Sequence, residues 1–457
     1  MKTISVKKGI TIRAALPEPA VKTLSPSTRM VYPLGNRWGW LLPALKEGDP
    51  VVAGQLIASS SSPRVPGIRS TVFGKVSRII KLPTVQMKEG QAVEVVVENQ
   101  PVEGTEMLTK VDDSSDEGQI LSALLQAGIW ESEDYGLPLA LRVAGPKSVQ
   151  SFASSATDED LVASVKNIPY IDRPIKILIL NAIDRDPYCR TRSHVLLNHP
   201  DEIVSAARLI RKVASPQSVI LAVPSNLASN PSVQQCAQAL QAEIAVSDGK
   251  YPSGLESILI WALTGREMIY PSKNSRALET AVVDTLALYQ IKQALLDGDP
   301  ALRVLLQINL VPGGESFMIE CSVGTPISHI MDQLSISSDQ VTKFVLGGRF
   351  LGYAHYDLNV PVTGEVDAID IFTGDVFHYS HEPCVRCGFC VKVCPVSIVP
   401  AELSMYCEYK RFEEAVHKGL WQCIECGLCA YVCPAHRPMV QLMRYGKYEL
   451  QFTRVAS

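Results

Sequence analysis

Two short cysteine runs, CVRCGFCVKVCP from Cys384 and CIECGLCAYVCP from Cys423, constrain this chain more than any other feature. They hold eight of its twelve cysteines, while Cys189, Cys236, Cys321 and Cys407 are scattered singly. Close clusters with no paired remainder point to metal chemistry and not to a disulfide framework. Each run reads C-x-x-C-x-x-C-x-x-x-C-P. Three thiolates on one tight loop can cap three irons of a cubane, while the fourth cysteine opens a helix pointing away and serves the other run's cluster. The expected ligand sets are therefore Cys384, Cys387, Cys390 and Cys433 for one [4Fe–4S] cluster, and Cys423, Cys426, Cys429 and Cys394 for the second. Gly388 and Gly427 would let the loop backbone pass close to a sulfide, and Pro395 and Pro434 steer the chain away. A pair of zinc sites is the competing reading, but zinc uses four ligands in C-x(2–4)-C pairs. It explains neither the third cysteine nor the proline. Cys407 lies between the runs on an expected helix and reads as core filler.

A chain of 457 residues is too long for one ordinary domain. Its hydrophobic content of 46% and charged content of 20% suit globular domains with real cores. A formal net charge of -4 gives no reason to expect nucleic-acid binding. The opening MKTISVKKG does not read as a secretory signal, and no apolar stretch reaches the roughly 18 residues of a membrane span. Free thiols then favour a reducing compartment. The expectation from these features is a cytoplasmic chain, unless a partner holds it at a membrane.

The character of the chain changes along its length, and an α/β multidomain protein is expected. Residues 1–110 contain EGDPVVAGQLIA and STVFGKVSRI, which resemble the barrel-sandwich hybrid of biotinyl and lipoyl domains; no lysine occupies a matching hairpin tip, so the module reads as scaffold. Residues 111–295 carry the apolar run PIKILILNAID (Pro174–Asp184), the helical pattern of Asp201–Ala214 and a second apolar run, Gln217–Asn226. Strand, helix, strand implies a doubly wound, Rossmann-like sheet. Residues 296–378 return to β pattern, with VLLQINLVPGGESFMIECSV as two strands around a Gly-Gly turn and GTPISHIMDQL as a short helix. Residues 379–457 hold the cysteine runs. In Pro438–Phe452, Met439, Leu442, Met443 and Tyr445 fall near one helical face, which could pack on its own domain or dock on a partner.

This order of parts resembles the C subunit of the Rnf (Rsx) ion-translocating electron-transport complex. The series GTP…GGRFLG…DLNVPVT is similar to that family's SLBB β-grasp signature, and FEEAVHKGLWQCIECGLCAYVCPAHRPMVQLMRYGK to its C-terminal segment. The resemblance implies a barrel-sandwich segment, a Rossmann-like domain related to the complex I flavin subunit, a β-grasp domain and a two-cluster ferredoxin-like domain. It also implies a peripheral electron-transfer subunit, with the other subunits of a membrane complex and a ferredoxin or ferredoxin-like subunit as partners.

The sequence departs from the family where flavin would bind. The family's glycine-rich A-G-I-x-G-x-G-G-A-G-F-P-T loop corresponds to AGIWESEDYGLPL, Ala127–Leu139, with Glu131, Glu133 and Asp134 standing for three glycines. Side chains and negative charge there oppose a phosphate. The family's N-A-x-E-C-E-P appears as NAIDRDPYC, which keeps Asn181 and Pro187 and puts Asp184 and Asp186 for the glutamates. Its Y-P-x-G-[AG]-E becomes YPSKNSRAL from Tyr270. The Rossmann-like domain is therefore expected to be empty of FMN. Without a flavin to split a hydride's electron pair, direct exchange with NAD is not expected either. The alternative is an FMN-containing, NADH-dependent oxidoreductase subunit.

Overall fold

A computed structural model describes residues 2–12, 19–25, 27–36, 39–60, 62–83, 90–98, 105–129, 137–268, 274–374 and 382–455. The α/β unit is built on a five-stranded parallel sheet ordered Lys2–Ile4, Glu243–Ser247, Ser218–Val223, Ile177–Asn181 and Thr280–Asp284. Its central strands are continuous apolar runs because helices cover both faces. Leu178, Leu180, Leu221 and Val283 face one layer of the core, and Ile179, Ile220 and Val282 the other. The expected strands at 174–184 and 217–226 form with trimmed ends, and the expected helix at 201–214 forms as Pro200–Ala214.

A second, six-stranded mixed sheet is ordered Tyr353–His355, Val341–Leu346, Ala368–Thr373, Arg303–Val311, Ser316–Ser322 and Ala20–Thr23. The hairpin Arg303–Val311/Ser316–Ser322 pairs antiparallel around its Gly-Gly turn, and the helix Ile327–Gln333 closes the core on Ile327, Ile330 and Met331. Of three further small sheets, the four-stranded one that begins with Arg29–Pro33 and the three-stranded one centred on Leu56–Ser59 share a core of Met30, Tyr32, Ile57, Val76, Val93 and Val95.

The N-terminal boundary differs from the sequence expectation. Sequence pattern groups residues 1–110 as one segment, yet Lys2–Ile4 pairs in parallel with Ala245–Ser247 of the α/β sheet, and Ala20–Thr23 in parallel with Phe317–Glu320 of the six-stranded sheet. Each completes the edge of another unit's sheet, which covers backbone groups otherwise open to unwanted pairing. Neither pairing leaves a local mark in so short a segment.

The last unit contains the helices Phe389–Val393, Pro400–Glu408, Phe412–His417, Leu428–Tyr431 and Met439–Val455. Met439 and Met443 are buried in its core beside Leu403, Cys407 and Leu420. The apolar stripe of the last helix thus packs on its own domain, at least through Met443. Among the described residues, no helix is long and apolar enough to cross a membrane.

Candidate metal centres and the flavin-type crevice

The two cysteine loops are near copies in backbone. In each, the residue before the second cysteine is left-handed (Arg386, φ 56°; Glu425, φ 58°), as are the glycine before the short helix (Gly388, φ 76°; Gly427, φ 79°) and the third residue after the last cysteine (Ser397, φ 59°; His436, φ 48°). Repeated positive φ at non-glycine residues is strain that a site must hold in place. The glycines do separate work beyond conformation. A Cβ on Gly388 would meet nothing within 4 Å, whereas one on Gly427 would lie 2.8 Å from the carbonyl oxygen of Phe350 in the six-stranded-sheet unit. Gly427 therefore lets two domains touch, a role its loop spacing did not suggest.

Tertiary packing brings Cys394 to the later run. Cys394, Cys423, Cys426 and Cys429 line one pocket together with Pro395, Ile398, Ile424, Leu428, Val440 and Met443. All four cysteines are buried. Burial pushes the Cys394, Cys426 and Cys429 thiols up, and the nearby Cys423 raises each further. Metal binding would have to displace these protons, since cluster ligands are thiolates. The donor set fits a [4Fe–4S] cluster: four sulfurs around one small apolar pocket. In the earlier loop, burial and then the neighbours Cys387 and Cys384 raise the Cys390 thiol. Cys390 is buried, Cys384 and Cys433 are half-buried, and Cys387 is exposed. The thiols of the shared pocket are thus sealed, while the earlier loop reaches solvent at Cys387. Among the described residues, no three His, Cys, Asp or Glu side chains converge on a single-ion site; a cubane instead puts each thiolate on a different iron.

The sealed site sits where the units meet. Tyr251, from the α/β unit, donates its phenol to the Cys426 carbonyl at 2.6 Å. Tyr251, Leu255 and Ile258 pack with Cys426 and Leu428, flanked by Phe350 and Val6. Phe350 touches Tyr251 and Tyr431, with ring centroids 5.0 and 5.2 Å apart.

In the α/β sheet, strand order reverses between Ile177–Asn181 and Thr280–Asp284, and open α/β sheets bind ligands beyond the strand ends at such a point. Here protein groups occupy it. Arg192, 1% exposed, pairs with Asp284 at 3.0 Å and donates to the carbonyls of Ile183 and Gly254. Asn181 donates to the Gly254 carbonyl at 2.9 Å, and a Cβ on Gly254 would lie 2.6 Å from the carbonyl oxygen of Asp184. Arg142 and Glu256 form a second buried pair at 2.9 Å. The two carboxylates of NAIDRDP are engaged internally. Asp184 accepts from Ser193 Oγ and the Arg192 amide, and Asp186 from the Tyr188 and Phe350 amides. Glu131, Glu133, Asp134 and Gly136 lie outside the described residues, as do residues 269–273 of the third segment.

Burial, reinforced by the charge of Asp370, pushes the Asp186 carboxyl up to about 7. Its folded value thus lies above that of the unfolded chain, so its contribution to stability is fully present below about pH 4 and is lost as pH rises through about 7. Asp184, pushed up to about 6 by burial, acts in the same sense. Thermal midpoints are expected to fall between about pH 5 and pH 8, and Asp186→Asn should flatten that slope. An unchanged slope in the variant would place the dependence elsewhere.

Known proteins similar to this chain agree with the sequence motifs. The family described as "Nuo51 FMN-binding domain" matches residues 161–292, and "4Fe-4S dicluster domain" matches residues 380–436. The C subunit of the ion-translocating oxidoreductase complex of Edwardsiella ictaluri is 30% identical over 248 residues, 53% of this chain and 31% of that one. Its namesake from Haemophilus influenzae (strain ATCC 51907 / DSM 11121 / KW20 / Rd) is 26% identical over 394 residues, 81% of this chain and 43% of that one. The C subunit of the proton-translocating ferredoxin:NAD(+) oxidoreductase complex of Clostridium ljungdahlii is 26% identical over 381 residues, 82% and 77% of the two chains. The chain thus spans about a third to a half of the length of the first two relatives.

Proposed function

The chain is a relative of the C subunits of the ion-translocating oxidoreductase complexes, and from that premise we propose that it relays single electrons within a membrane-attached complex of the Rnf type. A [4Fe–4S] cluster takes up and releases one electron at a time. Cys384, Cys387, Cys390 and Cys433 hold one such group at the surface, and Cys394, Cys423, Cys426 and Cys429 hold a second inside. The observation that carries this reading is the shared, buried pocket of Cys394 and the later run beside an exposed Cys387. Exposed residues along the segment around Cys387 include Glu382, Val385, Arg386, Phe389 and Lys392. An apolar patch flanked by two cations suits an acidic, ferredoxin-like partner whose own group comes close. Tyr251 and Phe350 anchor the inner site to the α/β and six-stranded-sheet units, which we read as an emptied flavin-type domain and an SLBB β-grasp domain. The two small sheets near the N-terminus are read as a barrel-sandwich scaffold. The chain docks on the cytoplasmic face of its complex.

The departures from the glycine loop, together with the Arg192–Asp284 pair at the strand ends, support a domain that binds no FMN and exchanges no hydride with NAD. Cys387→Ser tests the relay. Iron should fall by about half, because each loop triad serves one cluster, and reduction by a reduced ferredoxin should stop. Uptake at the natural rate in that variant would sink the surface site as the point of contact.

A further inference from the structure

The two loops match in backbone but not in charge. Arg386 is exposed. At the matching place, Glu425 is held by two cations of the last helix: Lys447 Nζ at 2.6 Å from Oε1 and Arg444 Nε at 2.9 Å from Oε2. Lys447 is 8% exposed, and its ammonium also donates to the Cys423 carbonyl oxygen at 2.8 Å. Arg444 reaches further, to the carbonyls of Gly352 and Leu351 at 2.9 and 2.6 Å. Lys447 thus places a cation on the backbone of a cysteine that lines the sealed pocket. Desolvating an ammonium is costly, and a neutral donor could have capped the Cys423 carbonyl.

We propose that Lys447 is a positioning residue that sets the reduction potential of the inner cluster, the proposal resting on the relay reading above. Burial in an apolar pocket opposes the extra negative charge that reduction brings, and so lowers a cluster's potential. The fixed ammonium of Lys447 offsets that penalty. It raises the inner potential relative to the outer one and draws electrons inward from the exposed site. Each reduction adds one electron, supplied by the donor.

The test is a redox titration of the full, cluster-loaded chain followed by electron paramagnetic resonance, with dithionite as reductant. Lys447→Met should lower the midpoint of the inner cluster by a shift of about tenfold in the one-electron equilibrium, about 59 mV, and leave the outer one in place. Lys447→Arg should restore it. Glu425→Gln, which removes the negative partner, should move the same midpoint upward, and it keeps the test open if Lys447→Met fails to load. An unchanged inner midpoint in Lys447→Met would overturn the proposal. So would shifts of the same sign in Lys447→Met and Glu425→Gln, the mark of a merely structural role. Failure of the relay reading would look different: no pair of cluster signals in the natural protein.

Discussion

The purified natural chain is expected to contain no flavin and to be left unreduced by NADH, while dithionite or a reduced ferredoxin bleaches its cluster absorption. The expectation has two independent supports. Glu131, Glu133 and Asp134 stand where the family resemblance would place three glycines, and side chains and negative charge oppose a phosphate. Farther along, the ends of the strands at the switch point are occupied by Arg192, which bonds Asp284 and the Gly254 carbonyl. Displacing that guanidinium for a cofactor would leave Asp284 as an uncompensated buried charge, a loss of about 3–5 kcal/mol. NADH delivers its electrons as a pair, and a flavin is what converts the pair to single electrons. Without it, NADH has no acceptor in this chain. The effect is all or none and is read in one spectrum. Stoichiometric FMN that NADH bleaches would restore the NADH-oxidising alternative and end the relay reading. Restoring glycine at the three acidic positions is a weaker probe, because Arg192 would remain where it is.

The second large effect concerns Cys394. Replacement by Ser should damage the cluster of the later run, Cys423–Cys429, and spare the one held by Cys384, Cys387 and Cys390, although Cys394 belongs to their run. The physical ground is the pocket shared by Cys394, Cys423, Cys426 and Cys429. A serine oxygen is a poor substitute for a thiolate on iron, so the inner signal should be lost or converted while the outer one persists. The converse substitution, Cys433→Ser, should act on the outer cluster. Spectroscopy that finds the near cluster damaged in Cys394→Ser would overturn the crossed arrangement. Because the inner site lies against Tyr251 and Leu255 of the α/β unit, its loss should also lower the thermal midpoint more than loss of the outer site. A ligand bound only by the native state stabilises it by an amount that grows with the logarithm of its affinity, and the inner pocket carries interdomain packing besides.

Some of this was legible in the residues alone, for a physical reason. Cysteines three and four positions apart lie on one loop whatever the rest of the chain does, so the spacing of Cys384–Cys394 and Cys423–Cys433 announces the chemistry without a fold. The apolar runs at 177–181 and 218–223 likewise announce buried parallel strands, because a strand covered on both faces has no polar side to show. What the residues could not say is anything decided by partners hundreds of positions away. The Lys2–Ile4 and Ala20–Thr23 strands are too short to carry a period, and their sheets became known only when Glu243–Ser247 and Ser316–Ser322 offered them edges. Gly427 reads as a loop glycine until Phe350 is laid against it. The burial of Cys426 against the α/β unit while Cys387 stays exposed, and the ammonium of Lys447 on the Cys423 carbonyl within the last unit, arise from tertiary packing. Spacing determined which atoms could hold metal; burial and neighbouring charge, which only the tertiary structure supplies, decided that the two sites differ.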